Sequence, residues 1–122
     1  MRPERAGAHV EDALVNCRRV LTVFADHSTA VFDAESIARA ALERHLITVG
    51  EALVRLRQDA PELVQRLPYA QLAIGLRNVL VHRYDRIRND KLAVAPGTGL
   101  PSLERDLAAL FEAVTTDPYY AP

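Results

Sequence analysis

Apolar residues recur along this chain with a helical period and nowhere with the strict alternation of a strand. Val10, Ala13, Leu14, Cys17, Val20, Leu21 and Phe24 follow the i, i+3, i+4, i+7 rhythm of an amphipathic helix, which predicts a first helix over 9–26. Asp33-Ala34-Glu35-Ser36 offers an N-cap for a second and longest helix ending near Gln58. Its broad apolar face is Ile37, Ala38, Ala41, Leu42, Leu46, Val49, Ala52, Leu53 and Leu56. Pro61 interrupts that pattern, 62–67 reads as one or two helical turns, and Pro68 opens a further helix over 69–83. Residues 95–101, with two prolines and two glycines, read as a loop. Ser102 reads as the cap of a last helix whose stripe is Leu103, Leu107, Leu110, Phe111 and Val114, and 117–122 reads as a flexible tail. The predicted fold is all-α, an up-and-down bundle of four to five helices in a single domain over 1–122, with short connections and antiparallel neighbours.

Composition narrows the function classes. A chain of 122 residues with 49% hydrophobic and 25% charged side chains fits one globular domain and not a disordered or fibrous one. No stretch approaches the roughly 20 apolar residues of a membrane span, so the expected location is the cytoplasm, with no membrane partner. The 15 basic and 16 acidic residues leave a net charge of −1, so any contact with nucleic acid is local. Cys17 is the lone cysteine, which excludes an internal disulfide and a cysteine metal cage; it reads as a small buried hydrophobe. No metal and no cofactor are expected.

The helix over 69–83 carries two apolar faces. Tyr69, Leu72, Ala73, Leu76, Val79 and Leu80 form its core stripe, while Ile74 and Val81 form a seam opposite, bordered by Arg77 and Tyr84 on one side and Asn78 and His82 on the other. A surface helix needs one apolar face, so the second predicts burial against another copy of the chain. The long helix repeats the feature with Ile47 beside Ala40, framed by Arg44 and Glu51.

Arg77, Asn78, His82 and Tyr84 combine a permanent cation, an amide, a group titrating near neutrality and a phenol. Such a set suits phosphodiester chemistry on RNA. A guanidinium can hold a phosphate and offset transition-state charge, and an imidazole can move the proton of the 2′-hydroxyl or of the leaving group without a metal. Arg83, Arg86, Arg88 and Lys91 against Asp85 and Asp90 make the stretch locally positive, with Arg83 and Arg86 as weaker RNA contacts. An arginine followed by a histidine after four to six intervening residues also occurs at Arg2 and His9 and at Arg39 and His45, so the bare pair is unspecific. His45 reads as a hydrogen-bonded core histidine, His9 as a helix-start residue and His27 as the end of the first helix.

The extended pattern Arg77-Asn78-Val79-Leu80-Val81-His82-Arg83-Tyr84 resembles the RX4HXY signature of HEPN domains, and among them the HepT-like toxins of HepT/MntA toxin-antitoxin modules. The segment from Ala41 to Leu53, with Gly50-Glu51-Ala52, is similar to the family's long helix. Arg83 departs from the small or uncharged residue of many members, and 96–101 lengthens the connection to the last helix. The resemblance implies a five-helix HEPN homodimer whose two motif helices line a shared cleft, and a metal-independent endoribonuclease leaving 2′,3′-cyclic phosphate ends. It implies that Arg77 and His82 are catalytic with Asn78 in support. It also implies that Tyr84 accepts AMP from a cognate MntA-like nucleotidyltransferase antitoxin, which silences the toxin. Two other readings stay open: a catalytically inactive HEPN module that binds a nucleotidyltransferase or RNA, and a helical dimer with no nucleic-acid role.

Overall fold

The chain enters its first helix through a 3-10 turn at Pro3–Arg5, where proline supplies the helical φ in advance. The computed structural model describes residues 1–82 and 99–122, with His82 described in its backbone alone. Among them lie α1 (Ala6–Asp26), α2 (Ile37–Asp59), the single turn α3 (Pro61–Val64), α4 (Ala70–His82) and α5 (Leu100–Thr116), and no strand. The fold is an all-α helical bundle. The helix α2 packs against both α1 and α4, and α1 packs in turn on α5. Cross-links between His9 and Asp59 and between Asn16 and His45 run in opposite senses along α1 and α2, so the two are antiparallel. No helix among the described residues is long and apolar enough to cross a membrane.

The stripe on α1 forms as its periodicity requires: Val10, Ala13, Leu14, Cys17, Val20 and Phe24 are buried. The helix begins a turn earlier than the pattern predicts, because Ala6 continues the same face and is itself buried. Cys17 donates its Sγ–H toward the carbonyl of Leu100 at 3.6 Å, and burial, with the carboxylate of Glu104 nearby, pushes its thiol up to about 12. It packs as a small hydrophobe.

On α2 the core register differs from the expected one. Leu42, Leu46, Val49, Leu53 and Leu56 are buried, but Ile37 is 89% exposed and the core-facing position one turn before Leu42 belongs to Arg39, 2% exposed. Hydrophobicity alone assigns that slot to the isoleucine; geometry assigns it to the residue in step with Leu42, Leu46 and Val49. The buried guanidinium is matched to its surroundings. Its Nη1 donates to the carbonyl of Val31 at 3.0 Å, and its Nε lies 3.5 Å from Glu43 Oε1. Ser36 caps the helix by accepting from the Arg39 N–H and donates its own hydroxyl to the Ala30 carbonyl at 2.6 Å. Arg39 and Ser36 thereby tie the connection from α1, with its 3-10 turn at Ala30–Phe32, onto the start of α2.

Three further expectations change. Ile74 is 4% exposed, inside the chain's own core, so the seam that it was to form with Val81 does not exist as a continuous outer face. The core stripe of α4 meets α2 near Ala73 and Gly99 near Leu72, and of the opposite pair Ile74 is buried while Val81 is 38% exposed. The last helix starts at Leu100, with Pro101 in its first turn, because Leu100 continues the stripe of Leu103, Leu107, Leu110 and Val114. Ser102 therefore lies inside the helix, accepting from Arg105 at 3.0 Å, and does not cap it. The loop expected over 95–101 is helical from Leu100, and its 95–98 portion lies outside the described residues. At the C-terminus, expected as a tail, Asp117 caps a 3-10 turn at Pro118–Tyr120 that packs against Pro3–Arg5, with Tyr120 half-buried on the core.

Two histidines serve the packing of α1 on α2. The amide nitrogen of Asn16 donates to the Asp12 carbonyl at 2.9 Å, so its Oδ1 accepts from His45 Nδ1 at 2.9 Å. Burial, with Arg19 and Arg44 nearby, holds His45 below its ordinary value of 6.5. Asp59, 2.8 Å from His9 Nε2, is held below its ordinary 3.8 chiefly by that hydrogen bond.

Both shifts mean that the folded chain binds fewer protons than the unfolded one, so both oppose folding in acid. Stability should fall as the pH drops through 6.5, where the unfolded His45 takes up a proton, and fall further below about 4 as the Asp59 contribution is lost. Urea melts between pH 7.5 and 3 check this, and His45→Gln, which can still donate to Asn16, should flatten the slope between pH 7.5 and 5. Arg39→Ala should cost about 3 kcal/mol in the same assay, because it leaves a buried carbonyl and a carboxylate unmatched and opens a cavity.

Candidate active site

The site is built where α4 crosses α2. A methyl group added to Gly50 would stand 2.2 Å from Arg77 Cβ, 2.7 Å from Arg77 Cγ and 3.1 Å from the Ala73 carbonyl oxygen. Only the missing side chain of Gly50 lets the two helices meet this closely. A glycine inside a helix costs about 1 kcal/mol relative to alanine, and here the cost is offset by seating the stem of Arg77 directly on the backbone of α2.

From that seat the guanidinium reaches Asn78 and Glu51 among the described residues. Arg77 Nη1 donates to Asn78 Oδ1 at 2.9 Å, and Nη2 stands 3.9 Å from Glu51 Oε1. The Arg77 side chain is 20% exposed and that of Glu51 37%, so the cation is walled by protein on most sides and open to solvent on one. A guanidinium in this setting can donate to a phosphate oxygen and offset charge that develops on it. Asn78 lies exposed beside it. His82 is the last residue of α4, one helical turn beyond Asn78. Tyr84, expected as the AMP acceptor, and Arg83 and Arg86, expected to touch RNA, lie outside the described residues.

The remaining histidines stand apart from this group. His9 and His45 link α1 to α2, and the exposed His27 ends α1 with its backbone N–H donating to the Val23 carbonyl. Among the described residues no three His, Cys, Asp or Glu side chains gather as a metal-binding group. A groove of about 620 Å³ between α1 and α5, lined by Glu11, Leu14, Arg18, Phe111 and Glu112 among others, does not include Arg77.

A family model described as Ribonuclease HepT-like matches residues 13–110. The chain belongs to the HepT-like ribonuclease family. The matched span runs from α1 into α5 and contains Gly50, Glu51, Arg77, Asn78 and His82. HepT-like ribonucleases are typically parts of toxin-antitoxin modules. Searches of curated proteins and of solved structures returned no match.

In this HepT-like ribonuclease the pairing of Glu51 with Arg77 is the part of the site that sequence reasoning missed. Glu51 was expected to border an interface with a second copy, and it faces Arg77 of its own chain. The signal lay in Gly50, a helix-disfavouring residue in the middle of the longest helix, which marks a close backbone approach.

The two helical glycines give opposite expectations. Gly50→Ala should destabilise the chain by about 1 to 3 kcal/mol through overpacking against Arg77 and Ala73. At Gly75, in α4, an added methyl group meets nothing within 4 Å among the described residues, so Gly75→Ala should stabilise by up to about 1 kcal/mol. Paired urea melts read both signs.

Proposed function

We propose that this chain is the toxin of a toxin-antitoxin module, a metal-independent endoribonuclease that works as a homodimer with α4 of each copy lining one cleft. The observation that carries the reading is the Arg77 guanidinium, seated on Gly50, joined to Asn78 and open to solvent, one to two turns before His82 in a member of the HepT-like ribonuclease family. In the reaction the 2′-oxygen of the RNA attacks the adjacent phosphorus and the 5′-oxygen of the next nucleotide leaves, giving a 2′,3′-cyclic phosphate and a 5′-hydroxyl. Arg77 offsets the charge of the pentacoordinate phosphorus, His82 moves the proton of the 2′-hydroxyl or of the leaving oxygen, and Asn78 holds Arg77 and contacts the same phosphate. Arg83 and Arg86 add weaker contacts to the RNA backbone.

The dimer reading rests on Ile47, half-buried on α2, and on Val81, exposed near the end of α4, both apolar beside the Arg77 region. Its support from Ile74 is withdrawn, since that side chain is spent on the chain's own core. Silencing follows from Tyr84: its hydroxyl attacks the α-phosphorus of ATP bound by a cognate nucleotidyltransferase antitoxin, pyrophosphate leaves, and the attached AMP places an anion where Arg77 would hold RNA.

The test compares wild type and His82→Ala on total RNA in EDTA, after gel filtration and circular dichroism of both. Wild type should elute as a dimer and cleave to cyclic phosphate ends, and His82→Ala should lose at least about a hundredfold in rate. A folded, unmodified wild type that binds RNA or a nucleotidyltransferase without cleaving RNA would replace the toxin with an inactive HEPN module.

A further inference from the structure

Among the described residues, contacts converge on Arg77 from Gly50, Asn78 and Glu51, and the last has the wrong sign for a residue that simply binds RNA. Gly50 fixes the root of the side chain, and Asn78 Oδ1 accepts from Nη1 at 2.9 Å at its tip. The third, Glu51 Oε1 at 3.9 Å from Nη2, puts a negative charge beside the group that would meet a phosphate. We propose that Glu51 is a positioning residue for Arg77, a carboxylate that holds the guanidinium in place and that an incoming phosphate must displace. The proposal deepens the ribonuclease reading and rests on it for its kinetic consequences.

The geometry defines what Glu51 can and cannot do. It follows Gly50 directly, so the glycine that brings α4 against α2 also sets the distance from the carboxylate to the guanidinium. At 3.9 Å the pair lies beyond hydrogen-bond reach yet close enough for a Coulombic pull, and both groups are partly exposed. Such a pull biases the rotamer of a long side chain without neutralising it. Fixing Arg77 before RNA arrives serves the transition state, because a donor already aimed at the phosphate oxygens needs no reorganisation. The same carboxylate repels the phosphate in the ground state. Glu51 therefore acts with opposite signs on binding and on chemistry.

The experiment is steady-state cleavage of a fluorescent single-stranded RNA by the full chain, comparing wild type with Glu51→Gln, which keeps shape and removes charge. Glu51→Gln should lower kcat about tenfold and lower KM about threefold at an unchanged melting temperature. A purely structural role would instead move the melting temperature and lower the active fraction without lowering KM. Hydrogen exchange at Arg77 Nε, followed by NMR without RNA, reports the positioning separately and should be faster in Glu51→Gln. Unchanged kcat, KM and exchange in a folded Glu51→Gln would overturn the proposal. If wild type does not cleave RNA, the ribonuclease reading fails by itself; faster exchange in Glu51→Gln would then still support the positioning role, and unchanged exchange would overturn it.

Discussion

The close approach of α4 to α2 at Gly50 is the contact on which the rest of this structure depends. Helices whose facing positions carry ordinary side chains pack about 8 to 10 Å apart, and a missing Cβ allows less. Here the gap is filled by the stem of Arg77, so the residue with the most distinctive chemistry in the chain also closes the helix interface. Packing and function cannot be varied independently there. Moving α4 outward by even part of an ångström moves the guanidinium, and the amide of Asn78 moves with it because both are on one turn.

Elsewhere along α2 the packing is organised by polar groups to a degree unusual for so aliphatic a core. Arg39 takes a core slot and is answered by a carbonyl and a carboxylate, and His45 and His9 answer Asn16 and Asp59 across the seam with α1. These contacts specify partners in a way that leucines do not, since a slip of one helix past the other would leave each buried polar group unmatched. They also commit two of the four histidines to structure, while His82 ends α4, the helix that carries Arg77.

A bundle with net charge −1 that acts on a polyanion must concentrate its positive charge, and it must not bind every anion that passes. An arginine rooted in a helix interface and partnered by an acid achieves both. Its position is set by packing, and its charge is partly answered until a ligand with stronger claims arrives. In a HepT-like ribonuclease this arrangement would favour a substrate that brings more than one phosphate to the cleft over a free small anion, which offers only one.

The helical class, the stripes on α1 and α5 and the placement of Arg77, Asn78 and His82 along one helix were legible in the sequence, because a 3.6-residue period is a local property that each segment carries by itself. The family resemblance drew on the same local pattern and on Gly50-Glu51-Ala52. What the pattern could not supply was which neighbour each face would meet. Ile74 looked like an outward seam because α4 has two apolar sides, and only the tertiary structure shows that Ile74 is buried in the chain's own core while Val81, on the same side, is exposed. Arg39 was invisible for the complementary reason: a charged residue is read as surface until the carbonyl and carboxylate that satisfy it are brought together from elsewhere in the chain. Periodicity assigns residues to faces; the pairing of faces is a non-local choice, made by whichever packing buries the most apolar surface while leaving no buried polar group unanswered.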